Sequence, residues 1–433
     1  MRYFYNTSWM ISEKLVRMFI GIFIGVVVAR YLGPKDYGLL NYVISFVGIF
    51  GIVATLGINN IVVRDLVHES SNANVILGTA FRIRLVGAIL LMLIVTIAIQ
   101  FTNNDSSTNL FIYILAFSPA VLSFNVIDFF FQSKVLSRFV VFSNLMSLLL
   151  SSVIKVILVV TKAPLIDFVV VMLIDSIILS ASLIYFYCRL KLSIFAWSFD
   201  RNLALKILKQ GLPLVFASFA TMVYLKIDQV MLQEILGSEA VGQYAAAARL
   251  SEAWYFMPIA ISSSLYPAII NAKQNCNNTY LERLQTLLSL VVWIAVIIAV
   301  PVTIFSNKII DILYGNAYWQ AGNILAIHIW AAIFVFLGEA TTRWFITENL
   351  QKQLLLRTVV GALSNIVLNL FLIRKYGAIG AAVSSIISQF ISVYILNVFG
   401  SSTFVIFKLQ TMSLLAPIIY LQRLITHRNG ATK

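Results

Sequence analysis

The sequence predicts an all-α integral membrane protein, and three observations carry that prediction: apolar runs of membrane-crossing length, a scarcity of charge, and the lack of any long polar segment. Of 433 residues, 60% are apolar and 11% charged, against about 25% charged in an average soluble domain. The apolar residues fall into runs of about 20, enough to cross roughly 30 Å of hydrocarbon at 1.5 Å per residue. A formal charge of +14 would suggest nucleic acid for a soluble chain; here it belongs to membrane-flanking loops, and no nucleic-acid partner is expected. Cys188 and Cys276 lack the spacing of a disulfide framework or zinc site.

Taken in order, hydropathy places twelve spans at 9–32, 37–57, 77–101, 109–132, 139–161, 166–188, 211–235, 241–270, 284–306, 319–347, 354–373 and 378–399. The stretch Met412 to Leu421 is shorter than a span and broken by Pro417, so the tail from Phe404 onward reads as an interfacial helix. Arg2 is followed by aromatic and polar residues before Glu13, Lys14 and Arg17, which is not the order of a cleavable signal. Alternate loops differ sharply in Lys and Arg. Arg64, Lys134, Arg138, Arg189, Lys191, Arg201, Lys206, Lys209, Lys273, Arg283, Lys352 and Arg357 fall on one side; Lys35, Lys162, Lys308, Arg374 and Lys375 fall on the other. Positive residues stay inside, so both termini are expected in the cytoplasm. The organisation is then a six-helix lobe over 1–188, a cytoplasmic linker over 189–210, a second six-helix lobe over 211–400 and a cytoplasmic or interfacial tail over 401–433.

No loop exceeds about 25 residues, too short for a soluble catalytic or nucleotide-binding domain, and no phosphate-loop motif occurs. A transporter driven by a gradient is expected rather than an enzyme, with no cofactor and no metal. Leu32, Gly33 and Gly38 after the first span match Leu236, Gly237 and Gly242 after the seventh, each as L-G-x-x-x-x-G. An even number of spans separates the copies, so the repeat is parallel, as in transporters built from two lobes about an axis along the membrane normal.

Ionisable residues inside spans cost from about 2.5 to more than 10 kcal/mol and are therefore functional candidates. Lys14 and Arg17 share a face of the first span, Lys226 sits in the middle of the seventh, Arg249 in the eighth and Arg343 in the tenth. Such cations suit a phosphate or pyrophosphate, although Glu13 with Arg17, Arg249 with Glu252, and Glu339 with Arg343 are also spaced for internal ion pairs. Asp128, Asp175, Asp228, Glu252 and Glu339 act either as proton or sodium carriers or as counter-ions. Arg30, Arg82 and Arg84 lie within about two turns of a span boundary and read as snorkelling anchors. Pro119 and Pro258 are placed as hinge points in the middle of their spans; His68, His328 and His427 are scattered, without a metal pattern.

The stretch from Gln210, Gly211, Leu212 and Pro213 through Tyr224, Asp228, Gly237, Gly242, Tyr244 and Arg249 to Trp254 and Pro258 resembles bacterial polysaccharide-repeat flippases, the Wzx-type O-antigen translocases. Ala29 to Gly38 resembles their first hairpin. The resemblance implies the V-shaped, two-bundle fold shared with MATE-type multidrug exporters and the lipid II flippase. It also implies an undecaprenyl-pyrophosphate-linked oligosaccharide as substrate, crossing a bacterial inner membrane from the cytoplasmic to the periplasmic leaflet. Membrane lipids, a polysaccharide polymerase and a chain-length regulator are the partners it implies. A cation-coupled drug exporter would carry a mainly acidic and aromatic cavity, and a membrane polymerase a long extracytoplasmic loop. The many intramembrane cations and the short outer loops argue against both.

Overall fold

The computed structural model describes residues 2–275 and 277–416, and those residues form helices, short 3-10 turns and connections with no strand among them. Cys276 and the tail from Pro417 on, with His427 and the end of the expected interfacial segment, lie outside the described residues. Two compact units divide the chain, Met1–Gly242 and Gln243–Lys433. This division falls inside a helix instead of in the 189–210 segment, because the seventh apolar segment packs along the second.

The first unit contains α1 (Arg2–Thr55), α2 (Asn59–His68), α3 (Ala73–Ile99), α4 (Ser106–Val121), α5 (Val126–Ser133), α6 (Ser137–Val160), α7 (Leu165–Arg189), α8 (Arg201–Leu236) and the start of α9 (Ser238–Glu252). Helical hydrogen bonding runs through α1, but Gly33 has φ 69° and kinks it. The half after the kink lies antiparallel to α8. Gly57 meets Gly211 at one end, Ser45 Oγ donates to Gln229 Oε1 at 2.8 Å in the middle, and Tyr42 donates to Glu234 further along. At the far end the two repeated turns meet. Gly33 and Gly237 both have positive φ, the left-handed region that favours glycine. Gly38 lies against the backbone of Ser238 and Gly242, and Gly242 against the carbonyl of Pro34. The first glycine of each motif makes the turn and the second admits the other turn.

The 189–210 linker is shorter than expected. Asp200 accepts from the Leu203 amide at 2.6 Å and caps α8, and Ala204, Ile207 and Gly211 are buried at helical spacing, so 201–210 is helix. The remaining connection is pinned to α3 by Asp200 N donating to Thr79 and by Trp197 packed on Phe81. The amphipathic α2 was not foreseen; its Ile61, Val62 and Leu66 join Leu77, Phe131 and Tyr187 in one core.

The second unit continues α9 and adds α10 (Phe256–Asn275), α11 (Asn277–Tyr314), α12 (Ala321–His328), α13 (Ala331–Thr347), α14 (Gln351–Val393) and α15 (Phe404–Leu414). Leu284, Leu287, Val291, Phe336, Phe345 and Ile406 share its core. The α15 helix, expected at the membrane surface, packs into this unit: Gln285 and Trp293 of α11 donate to Ser413, and Asn397 donates to Gln410. Pro258 sits in the first turn of α10, where its missing N–H is harmless, after a 3-10 turn at Ala253–Tyr255. Pro119 precedes a comparable break at Leu122–Asn125.

Among the described residues, nine helices are long and apolar enough to cross a membrane, or ten if the bent pair α12 and α13 counts as one. The number differs from twelve because helical bonding continues through the kinks at Gly33 and Gly377, joining segments expected to be separate. Exposed apolar stripes mark outward faces: Ile89, Leu93, Ile97 and Phe101 of α3 and its end are all exposed at four-residue spacing, the pattern of a surface solvated by lipid.

Candidate functional site

In the first unit, charge is gathered around α1, α3 and α5. Glu13 is buried and accepts from Arg17, whose Nε and Nη2 both stand 2.8 Å from Glu13 Oε1. Arg17 itself is half exposed and Lys14 exposed. Asp128, in the first turn of α5, accepts from Gln132 Nε2 at 3.0 Å and lies within electrostatic reach of both Arg84 and Glu13.

Arg84 is the departure from expectation. Instead of snorkelling to a boundary it is 7% exposed in the middle of the packed α3 face, with its guanidinium 5.6 Å from the Phe129 ring. Its Nε and Nη1 reach no hydrogen-bond acceptor among the described residues. The physical reason is that α5, which continues the Ser106–Ser133 span past the Leu122–Asn125 break, packs against this part of α3 with Phe129 beside the guanidinium. A buried guanidinium with open donors is costly, and it offers charge-assisted hydrogen bonds to an anionic oxygen. Arg82, two residues earlier, is exposed over the Phe199 ring.

On α8, Lys226 is half-buried and Asp228 buried. Asp175 of α7 accepts from Ser147 Oγ of α6 at 2.5 Å, a neutral partner that ties the two helices together.

In the second unit, Arg249 is half-buried and Glu252 exposed. Arg343 and Glu339 do not close an ion pair; Arg343 lies over the Tyr266 ring at 5.7 Å, while Glu339 is exposed and feels Arg357 more strongly than Arg343. Arg357, counted from sequence as a loop cation, is buried on α14. It donates to Thr341 Oγ1 at 3.0 Å, Thr342 Oγ1 at 3.1 Å and the Gly338 carbonyl at 3.3 Å, and it covers the Phe345 ring at 5.2 Å. His328 pairs with Ser251 Oγ at 2.6 Å and packs edge-on to Tyr244, a core histidine. Among the described residues, no group of His, Cys, Asp and Glu could hold a metal.

The structure therefore brings Glu13, Arg17, Arg84 and Asp128 together in one unit. Arg84 and Arg357 are the residues that sequence reasoning misplaced. Each lies within a few turns of an apolar segment's end, where hydropathy does not separate a side chain reaching outward from one folded under a neighbouring helix.

Against known proteins, the family profile described as polysaccharide biosynthesis protein matches residues 4–273, and the MatE profile matches 213–371. A probable low-salt glycan biosynthesis flippase of Haloferax volcanii is 24% identical over 205 residues. That alignment covers 45% of this chain and 42% of the relative, less than half the length of each. Among solved structures, the lipid II flippase MurJ in an inward closed conformation superposes with a TM-score of 0.68 at 18% identity, covering 96% of this chain and 93% of that one. An inward-facing multidrug resistance MATE family transporter of the MOP superfamily gives 0.68 at 12% identity, covering 92% and 95%. At such identities the likeness is one of fold. With apolar helices of crossing length, that fold, and a profile match over more than half its residues, the chain is a multi-pass membrane protein belonging to the polysaccharide biosynthesis protein family.

Proposed function

We propose that this protein is a flippase that moves undecaprenyl-pyrophosphate-linked oligosaccharide repeat units from the cytoplasmic to the periplasmic leaflet of a bacterial inner membrane, for O-antigen or another surface polysaccharide. The observation that carries the reading is the charge system of buried Glu13 and Arg84 with Arg17 and Asp128 in a member of a polysaccharide family. Buried cations with open or exchangeable donors are retained where a phosphate-bearing ligand passes, because they cost stability otherwise. Arg17 is held by Glu13 and presents its outer side to solvent, so an arriving pyrophosphate competes with that carboxylate. Lys14 and Lys226 are further cations of the first unit, and Arg249 and Arg343 of the second. Asp128, flanked by Arg84 and Glu13, is the coupling carboxylate of this scheme, with Asp175, Asp228, Glu252 and Glu339 as its alternatives.

In this reading the kinks at Gly33 and Gly377 each divide a long helix into two spans. Helices of 54 and 43 residues are about 80 and 65 Å long, twice a bilayer core, which supports twelve spans with both termini cytoplasmic. The protein transports and does not catalyse, and its alternating states need no cofactor. A polymerase and a chain-length regulator take over its product.

The test uses cells lacking the gene. Polyprenyl-pyrophosphate oligosaccharide should accumulate facing the cytoplasm, and the intact gene should clear it. Arg17→Gln and Lys226→Gln should insert normally and fail to clear it. Unchanged lipids on deletion would overturn the flippase reading, and full clearance by both variants would overturn the cationic site.

A further inference from the structure

The second unit carries a polar cavity that the transport scheme does not use. It measures about 460 Å³ and lies where α11 turns through the 3-10 segment Asn316–Tyr318 into α12. Its wall includes Asn307, Asp311, Asn316, Asn323 and Trp319. The volume falls within the range of about 300–1,000 Å³ usual for small-ligand sites. Three amides, one carboxylate and an indole here face solvent, and none is engaged in a hydrogen bond or ion pair with another described residue. Trp319 is 67% exposed.

The turn is built to hold that shape. Gln243, 1% exposed, reaches in from α9, donating to the Ala317 carbonyl at 2.8 Å and accepting from the Ala321 amide at 3.1 Å. Both ends of the segment bearing Trp319 are thereby fixed. Gly315 takes φ 84° at the corner, and Tyr314 and Tyr318 pack behind it with ring centroids 5.2 Å apart. A Cβ on Gly322 would strike Asn307, so glycine there lets Asn307 lie along the floor.

We infer that this cavity is a carbohydrate subsite, taking a neutral sugar ring with its hydroxyls on Asn307, Asp311, Asn316 and Asn323 and its C–H face on the Trp319 indole. Planar amides and a carboxylate meet adjacent hydroxyls as donors and acceptors, and the indole adds apolar area at little entropic cost. Asp311 disfavours an anionic ligand, and one carboxylate is too few for a calcium cage. An interfacial anchor would account for Trp319 alone; it gives no role to four unspent polar side chains around a fixed turn. With both termini cytoplasmic, as the flippase reading has them, the turn near Lys308 lies on the extracytoplasmic side, where glycan arrives. The identification of that glycan as the transported one rests on the flippase reading.

The test is saturation-transfer NMR on the full chain in nanodiscs, with oligosaccharide released by mild acid from the cells' own polyprenyl-linked pool. Wild type should transfer saturation to sugar C–H protons. Trp319→Ala and Asp311→Asn should each weaken binding by about tenfold, equivalent to about 1.4 kcal/mol, while Trp319→Phe keeps most of it. Equal binding by wild type, Trp319→Ala and Asp311→Asn, or no binding by wild type, overturns the subsite. The lipid pools of the deletion strain report on flipping separately. Normal clearance with absent glycan binding removes the subsite and leaves the flippase; unchanged pools with Trp319-dependent binding do the reverse.

Discussion

The contact of the two L-G-x-x-x-x-G turns makes a direct prediction about Gly38 and Gly242. A methyl group on Gly38 would strike the Ser238 carbonyl and the Gly242 amide nitrogen, and one on Gly242 would strike the Pro34 carbonyl. Every obstacle is backbone, so no side chain can swing aside and the helices must separate. Overpacking of this kind costs about 1–3 kcal/mol, and alanine in a helix returns about 0.5–1 kcal/mol, leaving a net loss of up to about 2.5 kcal/mol. For a body the size of the first unit, each kcal/mol moves Tm by about 2–4 °C, so Gly38→Ala and Gly242→Ala should each lower it, by up to about 10 °C. Gly48 and Gly51 sit on the same α1 helix, where an added Cβ meets nothing within 4 Å; alanine at either should leave Tm unchanged or raise it. Thermal unfolding of the four purified variants in one detergent decides the matter. The double variant Gly38→Ala with Gly242→Ala should cost less than the two singles together, because one separation relieves both collisions. If Gly38→Ala melts no lower than Gly48→Ala, the two turns do not bear on each other as described.

Arg84→Met should hold or raise thermal stability, since it removes a buried cation with open donors, yet lower surface polysaccharide by at least about tenfold, a barrier change of about 1.4 kcal/mol. Wild-type polysaccharide would make Arg84 structural. Arg357→Lys should destabilise by about 1–3 kcal/mol, because an ammonium cannot reproduce the three-way donation to Thr341, Thr342 and Gly338; equal denaturation midpoints would refute this. Asp105 caps α4 by accepting from the Thr108 amide at 3.1 Å and from the Thr108 hydroxyl, which lowers its pKa below the ordinary 3.8. Its stabilisation is complete above that unfolded value and is lost as pH falls through the lower folded one. Asp105→Ala should therefore cost about 1 kcal/mol at neutral pH, and the gap from wild type should close in strong acid. A gap that persists at low pH would locate the effect elsewhere.

Hydropathy located nearly every apolar segment to within a few residues, because lipid imposes a length and a composition that a single sequence displays directly. The glycine repeat was legible too, since glycine at both turn and contact is a chemical necessity. The extension of α8 back to Arg201 was missed for the opposite reason. Its first turns alternate Lys and Arg with Leu, Ala and Ile, and their apolar side is satisfied by protein, so a window tuned to continuous hydrophobicity passes over them. The same blindness hid α2, whose buried Ile61, Val62 and Leu66 occupy one face of a charged helix.

Charge is where a linear reading loses most, and Arg84 shows why. From sequence, Arg82 and Arg84 are equivalent: two residues apart, near one end of one span. In the fold Arg82 is exposed over Phe199 and Arg84 is sealed beside Phe129. Two residues along a helix is a rotation of about 200°, so the pair faces opposite ways and a neighbouring helix can cover one while the other reaches water or headgroups. A pair of cations at that spacing near a span's end thus implies that one is buried unless the helix stands clear on both sides. Here α5, the end of the Ser106–Ser133 span, packs over the Arg84 side through Phe129. Snorkelling is consequently an argument about one face of a helix, and distance from the span's end does not carry it.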